Sequence, residues 1–166
     1  PDGRDLNRVF PGRKSGSLAS RVAFHFTQNI LPHADYCLDF HTGGSARYNA
    51  PQLRIMPNNS DLLELAKVFG PPFIVVSKNL NKSLRATCFN LGIPSILFEG
   101  GKSLSSDKEV VKKGVDGVTR VLTKLDMLDE KFIFEKTLTN SIIIEKSKWL
   151  RANKSGLLHV KIDCGK

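Results

Sequence analysis

Ser95-Ile96-Leu97-Phe98-Glu99-Gly100-Gly101 is a short apolar run closed by a carboxylate and two glycines. With Ile93 in front of it, a run of this length between turn-forming residues reads as a strand buried on both faces. Residues from about Asp107 to Leu128 then follow a helical rhythm, with Val111, Val115, Val118, Leu122 and Leu125 spaced as a seam that faces a sheet. Gly114 and Gly117 lie inside that helix at a cost of about 1 kcal/mol each relative to alanine, which close packing of the helix would explain. A buried strand followed by an amphipathic helix is the repeating unit of an α/β fold.

The same alternation runs back to the start of the chain. Ser15 or Ser17 can cap a helix over about residues 18–30, whose Leu18, Val22, Phe26 and Ile30 make one apolar face, and Pro32 ends it. Tyr36 to His41 reads as a strand and Leu53 to Met56 as another. Ser60 caps a helix that buries Leu62, Leu63, Leu65, Ala66 and Phe69 and stops at Gly70-Pro71-Pro72. Phe73 to Val76 is a strand, and a helix from Ser83 to Leu91 ends at Gly92. Residues 1–130 are therefore expected to form a mixed, mostly parallel sheet flanked by helices. From residue 131 to 166 the pattern changes to β-branched and alternating runs, Ser141 to Glu145, Lys148 to Ala152 and Leu157 to Ile162, with a turn at Asn153 to Gly156. These residues are expected to start a small antiparallel β-rich domain that the chain leaves incomplete.

The 166 residues carry a net charge of +9, and five of those nine units fall after residue 130. Such a balance suits an anionic partner without choosing among substrate, nucleic acid and membrane. No apolar stretch reaches the roughly 18 residues of a membrane span, and nothing has the layout of a signal peptide. No basic stripe interleaved with aromatics is present, which argues against nucleic acid. The three cysteines, Cys37, Cys88 and Cys164, are far apart and form no C-x-x-C, so they read as reduced thiols of a cytoplasmic protein.

Three groups of residues can carry chemistry. Asp39 and His41 share one face of a strand at its C-terminal end, where α/β sheets place their ligands. His41 can bind a metal with Asp39 orienting the ring, or it can be a structural histidine hydrogen-bonded to that carboxylate. Glu99 ends the second strand; desolvation by the apolar run would raise its pKa toward the range of a general acid or base, and a strand-end ion pair is the alternative. Asn7 and Arg8, in Asp5-Leu6-Asn7-Arg8 before Phe10-Pro11-Gly12, offer an amide and a guanidinium fork that match a carboxylate, as does Arg85. His25 and His33 have no partner at ligand spacing and read as structural.

Taken in order, the blocks Pro1 to Gly12, Asp39-Phe40-His41-Thr42-Gly43-Gly44, and Leu84-Arg85 through Gly92-Ile93-Pro94 to Phe98-Glu99-Gly100-Gly101 resemble the succinylglutamate desuccinylase/aspartoacylase family of the zinc carboxypeptidase-like superfamily. The likeness continues through Val121-Leu122, Met127-Leu128 and Lys148 to Ala152. The resemblance implies a zinc-dependent hydrolase that cleaves the amide bond of an N-acyl amino acid or related small carboxylate, and hence a small anionic substrate. Zinc in the family is held by two histidines and a glutamate with one position left for water. By motif match His41 is the last of these ligands, Asp39 the carboxylate behind it, Glu99 the general base, and Asn7, Arg8 and Arg85 the residues that hold substrate. The first two ligands, in an H-G-x-E type motif, and the arginine that polarises the carbonyl lie upstream of the D-L-N-R block in the family, whereas this chain has only four residues before that block. The 166 residues alone are therefore expected to be a poor catalyst. A carboxypeptidase acting on peptides and a non-catalytic basic binding module are the rival readings.

Overall fold

The computed structural model describes residues 2–45, 47–132, 140–157 and 159–165. It contains strands β1 (Cys37–Gly43), β2 (Asn49–Ile55), β3 (Phe73–Val76), β4 (Ser95–Lys102) and β5 (Ile142–Ile144), and helices α1 (Leu18–Asn29), α2 (Ser60–Phe69), α3 (Leu84–Asn90) and α4 (Lys108–Lys124). The strands form one sheet in the order β1-β4-β2-β3-β5. Pairings β1–β4, β2–β3 and β3–β5 are parallel and β2–β4 is antiparallel, which is the mixed, mostly parallel sheet expected.

Strand alternation divides the side chains between two layers. Leu53, Ile55, Ile74, Ile96 and Phe98 point to one face, where Leu62, Leu65, Ala66 and Phe69 of α2 and Val110 and Val121 of α4 complete the main core. On the opposite face Cys88 of α3 joins Leu31 and Ile93 in a smaller cluster, with Phe26 of α1 packed on it. Capping fixes where the helices begin. Ser17 accepts from Ser20 N at the start of α1, Ser83 from Ala86 N at α3, and Asp107 from Glu109 and Val110 N at α4. For α2 the cap is Asn59, one residue before the expected Ser60. Its far end stops at Gly70 in the left-handed conformation, and the Arg120 guanidinium of α4 donates to the Val68 and Phe69 carbonyls there.

Of the two seams anticipated from apolar spacing, Phe26 of α1 and Val118 and Leu125 of α4 pack inward as expected, and the other large residues are displaced. In α1 the buried residues are Ala19, Ala23 and Thr27, while Leu18, Val22 and Ile30 are exposed. The cause is the turn at Gly12, which sits so close to this helix that a Cβ there would overlap the backbone of Ser20, Ala23 and Phe24; only small residues fit beneath it. In α4 the inward line is Val110, Gly114, Gly117 and Val121, and Val111 and Val115 are each 53% exposed. The glycines let α4 descend onto the rings of Phe40, Phe69 and Phe98, whose centroids lie 5.3–6.5 Å apart. The bulky valines are left beside a cavity of about 430 Å³ lined by Phe40, His41 and Thr42.

After residue 130 the chain differs from the expected antiparallel unit. The run Ser141 to Glu145 does form a strand, but β5 adds to the main sheet beside β3, with Ile142 N donating to Pro72 O at 2.9 Å. Among the described residues, 145–157 and 159–165 hold no strand, and Trp149 is 80% exposed. A lone hairpin with no apolar layer against it is marginal in water.

The two glycines of α4 separate by substitution. A Cβ at Gly117 would overlap the buried Phe69 ring, whereas one at Gly114 would stand 3.6 Å from Phe40 and Phe98, an ordinary contact. Gly117→Ala is expected to destabilise by about 1–3 kcal/mol. Gly114→Ala is expected to be neutral or to stabilise by up to about 1 kcal/mol through helix propensity. Urea denaturation of the two variants checks the contrast.

Candidate active site

The site is built on the parallel pairing of β1 with β4, which places His41 directly opposite Glu99 and Asp39 opposite Leu97. Odd-numbered residues of both strands face α1 and α3, so Asp39, His41 and Glu99 share one side of the sheet at the C-terminal ends of the two strands. His41 Nε2 lies 3.0 Å from Asp39 Oδ2. That hydrogen bond, aided by the negative charges of Asp39 and Glu99, raises the His41 pKa above the ordinary 6.5 against the opposing effect of burial.

Glu99 is only 17% exposed, and its two carboxylate oxygens are both engaged from β2. Asn49 Nδ2 donates to Oε2 at 2.9 Å, and Arg54 Nε lies 3.1 Å from Oε1. Neither Asn49 nor Arg54 was singled out from the sequence. Arg54 leaves a trace there, as a lone charge between Leu53 and Ile55 in an apolar strand. Asn49 leaves none, because strict alternation would put it on the buried face of Leu53 and Ile55. A register shift between Asn49 and Gln52 lets it reach the same carboxylate as Arg54.

Arg85, at the start of α3, is 6% exposed. Nη2 donates to Ser77 Oγ at 3.3 Å and to the Lys78 carbonyl at 3.2 Å, while Nη1 is buried without a hydrogen-bond partner. Burial, reinforced by the neighbouring Arg54 and opposed by Glu99 and Asp39, pushes its pKa down to about 10, so the guanidinium is charged at neutral pH. A buried, charged donor with an unused N–H is costly unless something accepts from it.

Asn7 and Arg8, adjacent in sequence, go to different places. Asn7 Oδ1 accepts from Leu84 N at 2.7 Å, tying the N-terminal segment to the first turn of α3, and Asn7 lines a cavity of about 290 Å³ with Phe10, Phe26, Leu84, Asp39 and His41. Arg8 is exposed, lies 3.8 Å from Asp5, and faces a second cavity with Arg4, Arg13 and Lys82. Phe10 lines both cavities and is the wall they share. His25 is exposed on α1 and stands edge-on to Phe24, away from the cluster.

The donors present fit one corner of a zinc site. Asp39 on Nε2 orients the His41 ring and leaves Nδ1 to face a metal, the carboxylate–histidine arrangement usual behind a metal-ligating imidazole. Among the described residues no three His, Cys, Asp or Glu side chains stand close enough to form a metal cage. No helix among them is long and apolar enough to cross a membrane.

The Asp39–His41 pair has a measurable consequence. In chain treated with a chelator, the His41 imidazole is expected to titrate above 6.5, and Asp39→Asn to lower that value, as read by NMR. Because the folded pKa is raised, the pair's contribution to stability is fully present below 6.5 and is lost as pH rises through the folded value. Asp39→Asn should abolish this part of the pH dependence.

A family model described as the succinylglutamate desuccinylase/aspartoacylase catalytic domain matches residues 1–125. The chain is 27% identical over 178 residues to the N-alpha-acetyl-L-2,4-diaminobutyric acid deacetylase of Halomonas elongata, a match covering 99% of this chain and 50% of that protein. The chain thus spans about half the length of this curated relative. Among solved structures, the succinylglutamate desuccinylase/aspartoacylase of Rhodobacter sphaeroides is 30% identical with a TM-score of 0.69, over 75% of this chain and 38% of that one. A succinylglutamate desuccinylase from a Silicibacter species has a TM-score of 0.85 over 100% of this chain and 53% of its own, at 23% identity, and so speaks to the fold. The matched segment takes in Asn7, Asp39, His41, Arg54, Arg85 and Glu99, and the chain belongs to the succinylglutamate desuccinylase/aspartoacylase family.

Proposed function

We propose that this chain supplies part of the active site of a zinc-dependent hydrolase that cleaves the amide bond of an N-acyl amino acid. The observation that carries the reading is the register of β1 and β4, which sets a candidate metal ligand, His41, beside a candidate general base, Glu99. The family's deacylases and desuccinylases, including the deacetylase relative, support the reaction class. Residues 1–130, to whose sheet β5 adds, are the catalytic part in this reading, and the rest of 131–166 the beginning of a C-terminal β-rich domain. A cytoplasmic setting, drawn from the unpaired cysteines, belongs to the same proposal.

His41 would hold zinc as one of its ligands, with Asp39 fixing the ring from behind. The chemistry that zinc supplies in such a site is polarisation of the scissile carbonyl and a more acidic water. Glu99 takes the proton from the attacking water and returns it to the leaving amine nitrogen, acting first as base and then as acid. Asn49 and Arg54 keep its carboxylate in place through both transfers, so that little motion separates the two steps. The unpartnered Nη1 of Arg85 is the natural donor to a substrate carboxylate, and Asn7 borders the cavity in which the rest of the substrate would lie. Arg8, in the cavity beyond Phe10, is assigned to the anionic substrate through the family motif alone.

Two substitutions and a substrate screen test this. In the full encoded protein, Glu99→Gln is expected to lower kcat by about 10²–10⁴ while bound zinc, read by metal analysis, stays at the wild-type level. Normal turnover would reject Glu99 as the base. Arg85→Gln is expected to act mainly on KM for carboxylate-bearing substrates. Turnover of N-acetyl or N-succinyl amino acids supports the deacylase, and turnover confined to peptides would replace it with the carboxypeptidase reading.

A further inference from the structure

Cys37 opens β1 and Cys88 lies within α3, the two elements that also carry His41 and Arg85. The backbone draws the cysteines to one spot. Cys37 N donates to Pro94 O at 2.9 Å and Ile93 N donates to Cys88 O at 2.9 Å, so both cysteines are bonded to the same dipeptide ahead of β4. Cys37 packs against the cluster formed by Leu31, Cys88 and Ile93. The two cysteines thus meet in one cluster, although 51 residues of chain separate them. Nothing in the proposed hydrolysis uses either one.

We propose that Cys37 and Cys88 are an oxidisable dithiol, which a small hydroperoxide converts into a disulfide joining β1 to α3. The surroundings divide the labour between the two sulfurs. Cys37 is partly exposed, and the neighbouring Cys88 thiol holds its pKa below the ordinary thiol value, favouring the nucleophilic thiolate. Cys88 is completely buried, and the Cys37 sulfur beside it together with burial pushes its thiol well up, so it remains protonated and waits as the resolving group. The Cys37 thiolate attacks the peroxide O–O bond, taking one oxygen as sulfenic acid and releasing hydroxide, or an alkoxide from an organic hydroperoxide. Cys88 then displaces the sulfenic oxygen: the S–S bond forms, the S–O bond breaks, and the thiol proton leaves with that oxygen as water. Two electrons pass from the thiol pair to the peroxide. The product ties the strand of His41 to the helix of Arg85 and fixes the spacing of the two through a covalent link.

The test treats the folded protein with hydrogen peroxide, blocks remaining thiols by alkylation, and maps peptides without reduction. The expected result is a Cys37–Cys88 cross-linked peptide, a mass lower by about 2 Da for that pair, and Cys164 still free to alkylate. Cys88→Ser should stop the reaction at a Cys37 sulfenic acid that dimedone traps, and Cys37→Ser should leave Cys88 as a thiol. Wild-type mapping decides the matter even where a variant fails to fold. Oxidation of Cys37 to sulfinic acid with Cys88 still reduced, a bridge from either residue to Cys164 or to a second molecule, or a Cys37 that resists peroxide would each overturn the proposal.

Discussion

The parallel ladder between β1 and β4 is the constraint from which the rest of this molecule follows. Its register sets His41 against Glu99, and because side chains alternate, the same register fixes which layer every neighbouring residue enters. A slip of β1 by one residue would send Asp39 and His41 into the main core, away from Glu99, and bring Phe40 to the opposite layer. Burying two ionisable groups against α2 and α4 would be very costly, and the aromatic cluster would lose a ring. The polar site and the apolar core therefore specify one another.

On the core side that ladder is held by close approach. Phe40 and Phe98, from adjacent strands, stack with Phe69 of α2 beneath α4, which can settle on the Phe69 ring only because it carries Gly117. On the site side, polar groups take over. Asn49 and Arg54 grip Glu99 from β2, Asp39 grips His41, and Asn7 closes the first turn of α3 near Arg85. His41 and Glu99 are each oriented by further side chains, from the same strand or the neighbouring one, the arrangement that gives a site its precision.

Much of this was legible in the residues themselves. The strand that carries Glu99, the Asp39-x-His41 pair, the helix starts near Ser17 and Ser83 and the α/β order all rest on local signals that survive in the fold, with β4 running on to Lys102. Misreadings fell where bulk and closeness compete. Val111 and Val115 look like a seam because they are large, but the sheet receives the glycine line of α4, since contact distance and not hydrophobicity alone decides which face is innermost. Leu18, Val22 and Ile30 misled for the same reason, with Gly12 pressing on the backbone of Ser20, Ala23 and Phe24 instead. After residue 140, β-branched runs correctly mark a strand at Ile142–Ile144, but their partner, β3, lies far away in sequence and on a sheet already formed.

By itself, then, the sequence determined the local elements, the fold class and the residue types of the candidate site: a carboxylate and a histidine on strands, with arginines in the same segments. These depend on periodicity, caps and turn residues, which act over a few positions. Only the tertiary structure decided that Arg54 and Asn49 serve Glu99, that Arg85 is buried with a nitrogen unused, that Asn7 and Arg8 part to different cavities, and that Cys37 meets Cys88. Those facts depend on strand order and register, which join residues tens of positions apart through contacts that no local pattern encodes.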